Sequence, residues 1–148
     1  MDRELRDRFT GLWRRFFDGA DLPVAYFYGS GDEKRTRRKP PDGHRCVVAD
    51  ILRALRGKTV VLDADTIGCE GGRRYFGFTR APRPHFEHFL SYGIPGTVEG
   101  ERYKKTPELV KSVMKHLPNF RAPGKTIVFK RWDTLDDGDE PEAVVFVA

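Results

Sequence analysis

The chain has 148 residues, of which 39% are apolar and 33% charged, which suits one compact domain with its own core and is too little for two. No apolar run approaches the roughly 20 residues that a membrane helix needs, so a spanning protein is excluded. Two cysteines do not make a disulfide scaffold, and the net charge of +5 asks where the excess is carried.

Residues 2–18 are predicted as a helix. Leu5, Phe9, Leu12, Trp13 and Phe16 recur at helical spacing and form one apolar stripe for the core, and Gly19 stops it. Pro23 then opens Val24-Ala25-Tyr26-Phe27-Tyr28, whose length and composition predict a strand with both faces at least partly covered. A helix is expected over Cys46 to Arg56, with Val47, Val48, Ile51, Leu52 and Leu55 on its buried side and Gly57 beyond it. The β-branched run Lys58 to Asp63 reads as a strand. A short helix is expected from near Gly72, and another from Pro84 to Tyr92, ended by Gly93. Residues 94–105 read as a loop. Thr106-Pro107-Glu108 is a helix start: a capping hydroxyl, a proline at the first position and an acid at the positive end of the dipole. Leu109, Val110, Val113, Met114 and Leu117 are its expected buried face. Lys125 to Arg131 and Ala143 to Val147 are strand candidates that could pair antiparallel across an acidic turn. These elements predict one α+β domain over residues 1–148, with a small mixed or antiparallel sheet packed by about four helices.

The charge is concentrated. Lys34 to Arg45 holds six bases (Lys34, Arg35, Arg37, Arg38, Lys39, Arg45) and one acid, Asp42, so its +5 equals the whole excess. Asp133 to Glu142 holds six acids and no base. Residues 30–45 read as a mobile, solvated basic loop. The alternative is an arm that grips nucleic acid or an acidic partner. No aromatic residue lies between Gly31 and Arg45, so no stacking platform supports the nucleic-acid reading. The charged N-terminus lacks the apolar core of a signal peptide, which predicts a cytoplasmic protein with its cysteines as thiols.

The chemistry centres on Cys46 and Cys69. Cys69 follows Gly68 and precedes Gly71-Gly72, and glycines let successive backbone N–H groups converge beside a helix start. Cys46 opens another predicted helix just after His44-Arg45. Such positions suit nucleophilic or metal-binding thiols, and the same residues also read as two buried, inert ones. Their separation of 23 residues is not a zinc-finger spacing. His85 and His88, three apart in a predicted helix, are a further pair that would complete a zinc set with the cysteines, and they also read as two surface or half-buried histidines among Phe86 and Phe89. Asp63 and Asp65 read either as an acid pair or as a turn. No dinucleotide-binding, Walker or nucleophile-elbow motif is present.

Four stretches together resemble domain-of-unknown-function family 169. They are Pro23-Val24-Ala25, Arg45-Cys46, Arg56-Gly57-Lys58-Thr59-Val60-Val61-Leu62, and Cys69-Glu70-Gly71-Gly72 running into Tyr75-Phe76-Gly77-Phe78. Glu70 stands where the family usually has proline, and Phe76-Gly77-Phe78 replaces its Leu-Gly-Leu. Pro141 to Val147 is similar to a later hydrophobic strand of the family. The Asn-Pro-Asp-Gln segment that follows there, and a further glycine-flanked cysteine, are not in this sequence. The resemblance implies a bacterial or archaeal cytoplasmic protein of mixed α and β structure, with Cys46 and Cys69 at the family's cysteine positions and no established activity. It also raises the reading that residues 1–148 are the front part of a longer member, whose third thiol would complete an iron–sulfur or other soft-metal site.

Three functions follow as expectations. The first is small-ligand or soft-metal binding, with iron–sulfur or zinc as the metal, at Cys69, Gly71, Gly72 and Cys46. The second is a thiol-dependent redox or sulfur-transfer enzyme, with Cys69 as nucleophile and Cys46 as its resolving partner. The third is nucleic-acid or acidic-partner binding through residues 34–45.

Overall fold

The computed structural model describes residues 1–31 and 45–147. Lys34 to His44, most of the basic loop, lie outside the described residues. A four-stranded antiparallel sheet is built from β1 (Val24–Gly29), β2 (Val60–Leu62), β3 (Thr126–Arg131) and β4 (Ala143–Val145), in the order β2-β3-β1-β4. Five helices accompany it among the described residues: α1 (Arg3–Phe16), α2 (Val47–Leu55), α3 (Glu70–Tyr75), α4 (Phe86–Phe89) and α5 (Pro107–His116). The α+β expectation holds. None of these helices is long and apolar enough to cross a membrane.

The alternation of side chains along each strand creates two different cores. On one face Val24, Val60, Leu62, Ile127 and Phe129 meet Ala54 and Leu55 of α2 and Ile67, with Tyr26, Tyr28, Phe76 and Phe78 at the margin. On the other, Ala25 packs with Trp132 and Leu135, flanked by Met1, Phe9, Phe27 and Val144. Val24 and Ala25 are both fully buried, as a central strand covered on both faces requires.

β3 and β4 do not pair with each other, contrary to the expectation from their succession. β1 lies between them: Tyr26 is opposite both Phe129 and Ala143. The β3–β4 connection therefore crosses one face of the sheet, and this is where Trp132 and Leu135 are buried. The acidic run serves that crossing. Asp136 and Asp139 meet the fully buried Lys130 ammonium, Asp136 at 2.7 Å. Asp133 takes a bidentate pair from Arg131 at 2.7 and 3.1 Å.

The helical stripes bury less than their periodicity promises. In α1, Phe9 and Trp13 stack at 5.8 Å between centroids, and Phe9 reaches Trp132 at 4.6 Å. Leu5, Leu12 and Phe16 stay exposed, because the second core is only as wide as β1, β4 and the crossing. Val48 and Leu52 of α2, Leu109 and Val113 of α5, and Leu117 just after it are exposed for a related reason: α2 contacts the sheet through Val47, Ile51, Ala54 and Leu55, and α5 buries Val110 and Pro107. The helix expected from Pro84 shrinks to Phe86–Phe89, since His85 sits at φ 58° and breaks the helical path before it.

Candidate functional site

The Cys69 region is shaped by a turn. Asp63 Oδ1 accepts from the N–H groups of Asp65 (3.1 Å) and Thr66 (2.9 Å) and from the Thr66 hydroxyl (2.8 Å). The carboxylate is used as turn chemistry, and the acid-pair alternative is not needed. The turn drives Ile67 fully into the core, and the next residue, Gly68, accepts the Arg45 N–H at 3.0 Å. That bond lays the segment entering α2 alongside the segment entering α3.

Both cysteines cap helices, as expected. Cys46 is the N-cap of α2, is exposed and makes no side-chain capping bond. Cys69 is the N-cap of α3, is half-buried, and its Sγ accepts the Gly72 N–H at 3.3 Å. Neither thiol is sealed in hydrocarbon. α3 begins at Glu70, two residues before the expected start. Gly72 is buried at the contact between the two helices, where a Cβ would lie 2.9 Å from Cys69 Sγ and 3.1 Å from Val47 Cβ. Gly77, between Phe76 and Phe78, has φ +77° and accepts the Ala122 N–H at 3.0 Å, so a side chain there would strike the incoming 120–122 segment.

Cys69 and Gly71 line a cleft of about 610 Å³. Arg73 stands on the same wall, fixed by its Nε donating to the Ile67 carbonyl at 3.0 Å. The facing wall carries Arg83, His85 and Thr97. The Arg83 guanidinium lies 4.3 Å from the centroid of the Phe89 ring, a cation–π contact that restrains it. The 94–98 hairpin beside it is closed by Ile94 and Val98 exchanging backbone bonds at 2.8 and 2.9 Å. Two guanidinium groups thus face one acid of the cleft, Glu70. Gly72 sits behind the wall, and Cys46 does not line it.

Arg73, Arg83, His85 and Thr97 were not sequence candidates for an anion site. Their signal was present only in part, as the Arg73-Arg74 pair after the glycines. His85 had been paired with His88, whose ring meets it edge-on at 6.4 Å between centroids. Among the described residues no group of three or more His, Cys, Asp or Glu side chains is placed to hold a metal ion. Among the described residues Cys69 is the one thiol that lines the cleft, so the cleft does not offer the set of thiolates that iron–sulfur or zinc would need. Arg45, the one member of the basic arm within the described residues, turns inward, with its Nε 3.3 Å from the buried Asp50 carboxylate.

The sequence model of domain-of-unknown-function family 169, described as "Uncharacterised ArCR, COG2043", matches residues 20–148. No curated protein and no solved structure matches the chain.

Proposed function

The chain belongs to domain-of-unknown-function family 169, and we propose that it is a small-ligand-binding protein that holds a compact anion in the cleft beside Cys69. The observation that carries this reading is the pairing of Arg73 and Arg83 across a cleft of about 610 Å³ with a half-buried thiol on its wall. Both guanidinium groups are held by contacts within the protein, so they meet a ligand with little ordering still to be done. A carboxylate or phosphate suits the planar donor fork of arginine. The glycines at 68 and 71 let the ligand approach the backbone, and Thr97 and His85 offer further polar contacts.

The two cysteines supply an internal test. Iodoacetate is an anion and iodoacetamide is its neutral analogue. The rate ratio of iodoacetate to iodoacetamide is expected to be several-fold higher at Cys69 than at the exposed Cys46. Arg73→Gln with Arg83→Gln should bring the two ratios together, and inorganic phosphate should slow the reaction at Cys69 alone. Equal ratios in the unaltered protein would remove the anion reading.

The half-exposed Cys69 sulfur in that cleft favours a second reading, in which Cys69 is the nucleophile of a thiol-dependent enzyme. Cys69→Ser separates the two. Phosphate retention in equilibrium dialysis survives the change if the cleft is a binding site, whereas a thiol enzyme also forms a Cys69 adduct during turnover.

A further inference from the structure

A second, separate hollow lies where the segment after α3 meets α5. Arg73 and Arg83 belong to the Cys69 cleft, whereas Arg74 and Arg80 turn to this groove of about 400 Å³. Its floor is apolar. Val110 and Met114, one turn apart on α5, lie there with Phe86. Its rim is cationic. Arg74, Arg80, Lys111 and Lys115 surround one acid, Glu87, which Lys111 already meets at 3.4 Å. Arg74 is committed to the Arg80 carbonyl. Arg80 and Lys115 have no carboxylate partner among the described residues.

An apolar floor under a rim of four cations and one acid selects for both halves of a ligand. The floor rewards burial of hydrocarbon, and the rim rewards a negative head through charge-assisted hydrogen bonds. The volume falls in the range of about 300–1,000 Å³ typical of small-molecule sites. We propose that this groove binds a small anionic amphiphile, with its carboxylate or phosphate head between Arg80 and Lys115 and its apolar body on Val110, Met114 and Phe86. The site is independent of the Cys69 cleft and needs neither thiol.

The protein's own methionines report on it. There are two, Met1 and Met114. Met1 packs on the other face of the sheet, against the Trp132 cluster, so its methyl resonance is a fold control. In protein carrying 13C-methyl methionine, octanoate or octyl phosphate is expected to shift the Met114 resonance and leave Met1 in place. Octan-1-ol, which has the tail without the charge, and acetate, which has the charge without the tail, should each bind at least about tenfold more weakly. Arg80→Gln with Lys115→Gln should weaken octanoate by about tenfold or more while Met1 stays unmoved. Both residues are exposed, so loss of fold is not expected. The proposal is overturned by the absence of a saturable Met114 shift with either anionic amphiphile, or by octan-1-ol matching them. A Met114 response to phosphatidylglycerol vesicles but to neither free amphiphile would also overturn it, by assigning the groove to a membrane surface.

Discussion

Single residues at the margin of the larger core set the shape of the Cys69 wall. Tyr28 donates its hydroxyl to the Phe76 carbonyl at 3.1 Å, which fixes the end of α3 to the sheet. Burial, with smaller contributions from Tyr26 and Glu142, pushes its phenol up to about 12. The native state therefore keeps a proton that the unfolded chain releases near the ordinary tyrosine value of about 10. The stability linked to Tyr28 is complete below that value and is lost as pH rises through about 12. An ultraviolet alkaline titration should contain a late step, and Tyr28→Phe should remove it. Gly72 is the second such residue. Alanine there gains helix propensity of about 0.5–1 kcal/mol. It also drives a methyl against Cys69 Sγ, Ile67 and Val47, all within 3.1 Å of the new atom, and crowding of that kind costs about 1–3 kcal/mol. Crowding wins, so Gly72→Ala should lower the urea midpoint and alter the alkylation rate of Cys69. A stabilised variant with unchanged reactivity would mean that α2 and α3 yield freely. The glycines and Cys69 were visible in the sequence because their chemistry is local. Arg83 and Thr97 were not, and His85 was legible only as a partner of His88, because only the tertiary fold brings them to residue 69.

Elements were legible where a local signal fixes them and illegible where a neighbour does. The start of α5 followed from Thr106, whose hydroxyl accepts the Leu109 N–H at 3.4 Å, and the composition of β1 and β3 announced both strands. Strand order could not be read, because pairing depends on which edges meet and not on period. What routes the β3–β4 connection over the sheet is the buried Lys130 with its two aspartates, a contact that nothing local in the sequence marks. Removing the acids should cost more than removing the base. Asp136→Asn with Asp139→Asn strands an ammonium that has no exposure, and breaking a buried pair in this way costs about 3–5 kcal/mol. Lys130→Met removes the buried charge, leaves the more exposed Asp136 to water and leaves Asp139 still accepting the Asp136 N–H at 2.8 Å, so its loss should be smaller. Urea unfolding of both variants checks the order. Equal losses would show that the crossing is held by the Trp132 and Leu135 packing alone.

At the scale of the whole molecule the sheet needs covers on both faces, and they come from different parts of the chain. Residues 45–78 cover one face. The other depends on the crossing and on α1, which lies before the residues matched by the family. Phe9 packs at a tilt against Trp132, whose indole N–H donates to the Arg6 carbonyl at 3.1 Å, and Arg6 Nη1 donates to the Leu135 carbonyl at 2.7 Å. α1 thus seals a small core of Ala25, Trp132 and Leu135 although much of its own stripe faces outward. Phe9→Ala should cost about 2–3 kcal/mol, below the 3–5 kcal/mol of a fully buried phenylalanine because the ring is only half-buried. Deleting residues 1–19 should go further. It removes Trp13 and leaves Trp132 as the sole tryptophan, so the emission reads one place. The expected result is a red-shifted Trp132 and a lower unfolding midpoint, while the Cys69 cleft keeps its preference for iodoacetate because α2 and α3 pack on the opposite face. Loss of that preference together with the second core would show that the two faces fold as one unit. An unshifted Trp132 would mean that the crossing closes over the sheet without the helix.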